Sequence, residues 1–268
     1  MPAEGLEMHH VQARGDDNTA QVVADVLSRV RMRHPRIHCI TNVVAQNFSA
    51  NVLLALDCIP SMTVSPEEVG SFVTGAQALL INLGTFDAGR REAIMSATEA
   101  AARAGIPWVL DPVLVDRSPS RAAFARELLT RRPAVLRLND AELGVLSGGS
   151  ASRDAARSYA VHNHVVVALS GEIDVITDGL RVTAISNGHA LMTKVTAMGC
   201  AASAVVASCL AVEADAVLAS TAALTILGIA GEVAGEKAAG PGTFAVAIID
   251  ALASIDGPML ASRARLSS

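Results

Sequence analysis

At 268 residues the chain is long enough for one large α/β domain or two small ones. Hydrophobic residues make up 51%, charged residues 18% and aromatics only 3%, so an extensive core built from Ala, Val, Leu and Ile is expected. A formal charge of -5 leaves no basic surplus to neutralise phosphates and argues against nucleic acid as a partner, and no run of like charges marks a membrane-binding face.

The opening stretch MPAEGLEMHHVQARGDD lacks the basic and apolar regions of a signal peptide. It reads as a flexible tail over residues 1–18, ahead of a single domain over 19–268. From 19 to 34, Val22, Val23, Val26, Leu27 and Val30 fall at helical spacing, and Pro35 stops the run. Residues 37–41 are short and extended, and 42–56 are helical in period. Residues 59–64 read as a strand, and Ser65-Pro66 opens a helix with proline at its first position. The alternation continues with a strand at 78–83, an alanine-rich helix at 90–104 ending on Gly105, a strand at 106–110 and a helix at 120–130. Strands at 134–138 and 165–169 follow, and 174–177 and 182–187 form a hairpin about Asp178-Gly179. Strands that are apolar throughout, with helices between them, predict a three-layer, doubly wound, mostly parallel sheet. The apolar segments 197–212 and 216–231 are shorter than the about 20 residues of a spanning helix and read as buried helices. Cys39, Cys58, Cys200 and Cys209 form no CxxC pair and no zinc-like spacing, which suits a reduced, cytoplasmic protein.

In such a sheet ligands bind beyond the carboxyl ends of the strands. Asn42, Asn82, Asp111, Asn139, Ser170 and Gly171 all fall there. Asn139-Asp140-Ala141-Glu142 opens a helix, so Glu142 is either the partner in a capping box or a Mg²⁺ carboxylate beside phosphates. Asp111-Pro112 has the same two readings, an ordinary turn or a carboxylate completing a Mg²⁺ shell. Arg137 ends an apolar strand, where a charged residue is rarely unpaired and a phosphate is a fitting partner. Ser170-Gly171 is a strand-ending turn or a phosphate-facing hydroxyl and N–H. No GxxxxGK[ST] or GxGxxG occurs. The stretch NGHALMTKVTAMGCAASAVVASCLAV runs from turn-forming residues through Gly199-Cys200 into a small apolar helix. A helix start of this kind binds anions and lowers the pKa of a thiol within its first turn. The alternative is plain core, with Cys200 as a small buried hydrophobe.

The segments HCITNVVAQNFSANVLLAL, INLGT, VLDPV, SGEIDVITDG, NGHALMTKVTAMGC and GPGTF, in that order over roughly residues 35–252, resemble the hydroxyethylthiazole kinases. The resemblance implies a ribokinase-like fold and ATP- and Mg²⁺-dependent phosphorylation of 4-methyl-5-(2-hydroxyethyl)thiazole in thiamine salvage. It also implies a homotrimer with sites at subunit interfaces. By the same resemblance Met62 and Ala197 contact substrate, and Arg137 and Ser170 contact ATP. Asp111 and Glu142 lie near Mg²⁺, and Cys200 stands where related sugar kinases keep an aspartate base. Asn42 joins the substrate contacts, and Gly199 the backbone groups holding the moving phosphoryl of ATP.

Three departures from the family pattern are visible. The usual DPVGAGAT-like segment continues here as Leu114-Val115-Asp116-Arg117, Leu138 replaces the glycine between Arg137 and Asn139, and Ala197-Met198 replaces the glycine-led opening of the GC motif. Each removes backbone freedom or adds volume. Two further readings therefore stand beside the thiazole kinase: a kinase for another small alcohol, and a catalytically weak metabolite-binding oligomer.

Overall fold

The computed structural model describes residues 4–149 and 151–268, with side chains described from Thr19 onward. In chain order the elements are α1 (Glu4–Arg33), β1 (Arg36–Ile40), α2 (Gln46–Ala55), β2 (Ile59–Ser61), α3 (Val69–Thr74), β3 (Ala78–Asn82), α4 (Ala88–Ala104) and β4 (Trp108–Asp111). Next come α5 (Pro119–Leu129), β5 (Val135–Asn139), α6 (Asp140–Ser147), α7 (Arg153–Asn163), β6 (Val166–Ser170), β7 (Asp174–Thr177) and β8 (Val182–Ile185). The chain ends with α8 (Met198–Leu210), α9 (Ala216–Lys237), α10 (Pro241–Ser254), α11 (Gly257–Arg263) and β9 (Leu266–Ser267). The expected tail over residues 1–18 falls where no side chain is described, and residues 1–3 lie outside the described residues altogether.

All nine strands form one sheet in the order β2-β1-β3-β4-β5-β6-β7-β8-β9. The pairs from β2 to β6 are parallel, and β7, β8 and β9 complete the sheet antiparallel. Successive strand residues point to opposite faces. On β3, Ala78 and Leu80 join one core with α1, α2, α8, α9 and α10, while Leu79 and Ile81 join a second core with α4, α5 and α6. This is the expected three-layer arrangement.

Local chemistry accounts for where the boundaries shift. Residues 42–45 form a turn instead of a first helical turn, because the Asn42 side-chain oxygen accepts from the Ala45 N–H at 3.0 Å. Ser65 likewise starts a turn, accepting from Glu68 and Val69 N–H, and α3 begins only at Val69. At Gly105 the helix α4 ends with φ +67, a left-handed close that glycine permits without strain. The helix α9 has 22 residues and is apolar enough to span a membrane by length and composition, but 83% of its apolar window is buried within the fold. It serves as the central helix of the first core.

Phe124 is fully buried in the second core and packs on Phe86 at 5.1 Å between ring centroids. Phe124→Ala is expected to lower unfolding free energy by about 3–5 kcal/mol, read as a fall in the urea midpoint at unchanged slope.

Candidate active site

The parallel strands deliver their last residues to one edge of the sheet, where the start of α8 meets them. Asn82 and Asp111 stand side by side in the β3–β4 register, and Asn139 and Ser170 do so in the β5–β6 register. The helix α8 opens from Ala197, whose φ of +67 is left-handed, and among the described residues no side chain caps its first turn. The N–H groups of Met198, Gly199 and Cys200 therefore remain donors at a positive helix end.

Cys200 lies where these elements converge. Its sulfur accepts from Asn42 Nδ2 at 3.2 Å and from Asn82 Nδ2 at 3.4 Å, and Asn42 Nδ2 also donates to Asn82 Oδ1 at 3.0 Å. A Cβ on Gly84 would stand 2.5 Å from the Asn42 Cβ, so glycine is required for Asn42 to hold this place. The expected lowering of the thiol pKa does not occur. Burial, followed by the nearby Asp111 charge, pushes Cys200 up to about 11, outweighing the amide hydrogen bonds and Arg137. The helix end favours the anion, but desolvation next to a carboxylate disfavours it more.

Asp111 is buried and accepts from Ser203 Oγ at 2.7 Å. Burial holds its carboxyl above the usual range, and Arg137 opposes that shift. Both readings of Glu142 meet in one side chain. It completes the capping box with Asn139, whose N–H donates to Oε2 at 2.9 Å, while the Leu114 N–H donates to Oε1 at 2.9 Å. A carboxylate oxygen has a second lone pair beyond such a bond, so the cap leaves room for a cation. Glu142 is also raised, first by burial and then by repulsion from Asp111. Two hard carboxylates that repel each other suit Mg²⁺, which keeps several waters and takes one or two carboxylates plus phosphate oxygens. Among the described residues no cluster of three His, Cys, Asp or Glu side chains forms a complete metal cage. Such a pair fits Mg²⁺ arriving with phosphates rather than a fixed all-protein site.

Beside this group a cleft of about 710 Å³ is lined by Arg137, Ser170, Gly171, Asp174, Asn187–His189, Met192, Met198, Gly199, Leu224 and Leu227. Arg137 Nε is buried without a hydrogen-bond partner among the described residues, and Arg137 Nη1 lies 3.1 Å from where a Cβ on Gly199 would project. A guanidinium left unsatisfied at the floor of a cleft calls for an anionic guest. Asp174, raised by burial, accepts from Gly171 N–H at 3.0 Å and shapes the turn after Ser170.

The structure thus brings Asn42, Asp111, Glu142, Cys200 and Gly199 to one end of the sheet, with Arg137 and Ser170 in the adjoining cleft. Met62 is set apart. It follows the edge strand β2 and packs, half-buried, on the first core. The departures from the family pattern prove local. Leu138 is an ordinary buried strand residue, whereas Leu114 and Ala197 take the left-handed conformation, at φ +62 and +67, where glycine would be free of strain. Sequence reading missed Asn82 as a partner of Cys200, Ser203 as the partner of Asp111, and Asp174. Asn82 carried a signal, since it ends an apolar strand level with Asp111.

Two measurements probe these electrostatics. Alkylation of Cys200 by iodoacetamide should stay slow at pH 8 and accelerate toward a midpoint near 11; a midpoint near 7 would contradict the desolvated thiol. Because the folded Asp111 pKa is raised above its unfolded value, its stabilising effect is present below the ordinary carboxylate range and lost as pH rises through the raised value. Asp111→Asn should consequently melt higher than the parent chain at pH 8, and a lower melting temperature would show the ionised carboxylate to be a net stabiliser.

Residues 27–257 match the model of the hydroxyethylthiazole kinase family. A probable hydroxyethylthiazole kinase of Agrobacterium fabrum is 44% identical over 252 residues, spanning 94% of this chain and 97% of that protein. The solved structure of the hydroxyethylthiazole kinase protein from Pyrococcus horikoshii OT3 aligns with a TM-score of 0.87 at 36% identity, covering 91% of this chain and 97% of its own. An ADP complex of Bacillus subtilis pyridoxal kinase, 18% identical with a TM-score of 0.58, shares the ribokinase-like fold alone. A family match over residues 27–257, with relatives of this identity aligned along nearly their whole length, makes the chain a member of the hydroxyethylthiazole kinase family.

Proposed function

We propose that the protein transfers the γ-phosphoryl group of ATP to the hydroxyl of 4-methyl-5-(2-hydroxyethyl)thiazole, a salvage step toward thiamine. Family membership supports the reaction class. The observation that carries the site assignment is the uncapped start of α8, with Cys200 in its first turn, facing two buried carboxylates and an unsatisfied arginine.

The bond changes are simple. The hydroxyl oxygen bonds to phosphorus, the bond from phosphorus to the β-phosphate oxygen breaks, and ADP leaves. Arg137 and Ser170 hold the phosphates in the cleft. The Met198, Gly199 and Cys200 N–H groups face the charge on the moving phosphoryl group. Asp111 and Glu142 would hold Mg²⁺, which would supply neutralisation of the phosphate charge. A thiol held near 11 is already protonated at neutral pH, so it takes no proton from the alcohol. Cys200, with Asn42 and Asn82, orients the hydroxyl, and phosphoryl transfer depends on such positioning more than on covalent help. The hydroxyl proton leaves with solvent or on the new phosphate ester.

Met62 and Ala197 complete the substrate side. Exposed apolar residues support a homotrimer: Leu54 on α2, Ile59 on β2 and Val246 on α10 lie on three elements that pack together at the open end of the sheet. Covering them with neighbouring copies would bring a second chain beside Met62. Four free cysteines fit a reducing cytoplasm. One observation favours a different small alcohol as acceptor, namely that Leu114 is half-exposed beside Glu142 at a position where the family keeps glycine.

The test is ATP consumption by purified protein, with hydroxyethylthiazole set against a panel of related alcohols. Turnover with the thiazole at the highest kcat/KM is the expected result. A better alcohol would reassign the acceptor, and binding without any turnover would leave a metabolite-binding oligomer. Cys200→Ser should lower kcat about tenfold or more while sparing ATP binding. Glu142→Gln should raise the Mg²⁺ concentration needed for half-maximal rate, and unchanged kinetics would reduce Glu142 to its capping role.

A further inference from the structure

One wall of the cleft, residues 186–194, is seated on α9, which also contributes Leu224, Leu227 and Gly228 to the cleft lining. Beneath it, three glycines share one face of α9 at spacings of three and four. A Cβ on Gly228 would lie 2.7 Å from the Asn187 carbonyl oxygen, one on Gly231 2.6 Å from the Met192 sulfur, and one on Gly235 2.4 Å from His189 Cδ2. Each glycine thus leaves a socket for one residue of the wall, and His189 is covered from the other side by Phe244, with ring centroids 5.5 Å apart.

The polar half of this seat comes from α9 and the C-terminal segment. Glu232 Oε1 accepts from Asn187 Nδ2 at 3.0 Å, from Gly188 N–H at 3.1 Å and from Arg265 Nη2 at 2.6 Å. The Asn187 amide also donates to the Arg263 carbonyl at 2.8 Å and accepts from the Arg265 N–H at 2.7 Å. Arg265 Nη2 reaches the Ser186 carbonyl at 2.7 Å, and the Ser186 N–H donates to the Arg265 carbonyl at 3.0 Å. Directly after this, β9 pairs with β8, matching Ile185 to Leu266. Asn187 and Gly188 line the cleft, but Glu232 and Arg265 stand behind them. A carboxylate collecting three donors, with only 16% of its side chain exposed, fixes the wall more firmly than a turn of this length could fix itself.

We propose that Glu232 and the C-terminal segment through Arg265 are positioning elements for the nucleotide: they set the Asn187–Gly188 wall at the width the nucleotide requires, without touching it. The proposal rests on the kinase reading of the cleft. It predicts a defect confined to ATP. In Glu232→Ala, Asn187 and Gly188 lose their shared acceptor, and the Kd for Mg–ATP by calorimetry, together with its KM, should rise about tenfold. The thiazole KM and kcat should stay within about twofold.

Glu232→Gln keeps an acceptor oxygen and should bring Mg–ATP affinity back to within about threefold of wild type. Arg265→Ala, which removes a half-exposed partner, should weaken it about threefold. As a control, Glu213→Ala removes a carboxylate that likewise accepts from an arginine and from a backbone N–H, at 2.6 and 2.9 Å, but at the far end of α8. It should leave Mg–ATP affinity unchanged. If Glu232→Ala binds Mg–ATP like wild type, or if Glu213→Ala weakens it equally, the proposal is overturned. Should Glu232→Ala fail to fold, Arg265→Ala and Glu232→Gln decide by the same readout. A wild-type protein that binds no Mg–ATP would instead overturn the kinase reading and this one with it.

Discussion

The site depends on keeping the carboxylate of Asp111 inside the protein. A parallel sheet buries its strands on both faces, so a charge on the last residue of β4 has no direct route to bulk water. Ser203 and Arg137 offset part of that burden, yet the carboxyl stays raised. The neighbours feel it in turn: the Asp111 charge helps to raise Glu142 and Cys200. The end of the sheet therefore holds two carboxylates that repel each other and, among the described residues, a buried guanidinium Nε without a hydrogen-bond partner. On the proposed reading a polyphosphate arriving with a divalent cation would relieve both, which is how a binding site is made from groups that a stability-optimised core would replace.

The backbone tells the same story at two positions. Ala197 and Leu114 sit in the left-handed region, at φ +67 and +62, where a side chain costs on the order of 1 kcal/mol or more. Such conformations persist only when the surroundings over-determine them. At Ala197 the turn aims the first N–H groups of α8 at the site, and at Leu114 it presents an N–H to Glu142. Both positions carry a side chain in a backbone conformation that favours glycine. At Leu114 that side chain is apolar and half-exposed beside Glu142.

Much of this was legible in the sequence because the parallel sheet sorts residues by position. Apolar runs gave the strands, and the polar residue closing each run marked the site, as for Asn42, Asp111, Asn139 and Ser170. Contacts between residues distant in sequence could not be read this way. The pairing of Ser203 with Asp111, the hold of Asn82 on Cys200 and the clamp of Arg265 on Asn187 join segments separated by 92, 118 and 78 residues. None has a local signature, and the two-residue strand β9 is too short to have a period. The thiol of Cys200 was misjudged for a related reason. A helix start is visible in sequence, but burial of the thiol, and after it the carboxylate of Asp111, are tertiary facts, and together they reverse the sign.

That reversal narrows what the chemistry can be. An aspartate in the place of Cys200 would add a third carboxylate near Asp111 and Glu142 and raise the repulsion further. A neutral thiol adds none, accepts two amide hydrogen bonds, and leaves the negative charge to Asp111 and Glu142. On the proposed reading the site forgoes a strong base and uses the start of α8 to bring the alcohol and the phosphoryl group together. Phosphoryl transfer tolerates that exchange, since alignment and charge neutralisation supply most of its acceleration. Cys200 is thus best understood through what surrounds it: two amides that fix its sulfur, and a buried carboxylate that keeps its proton on.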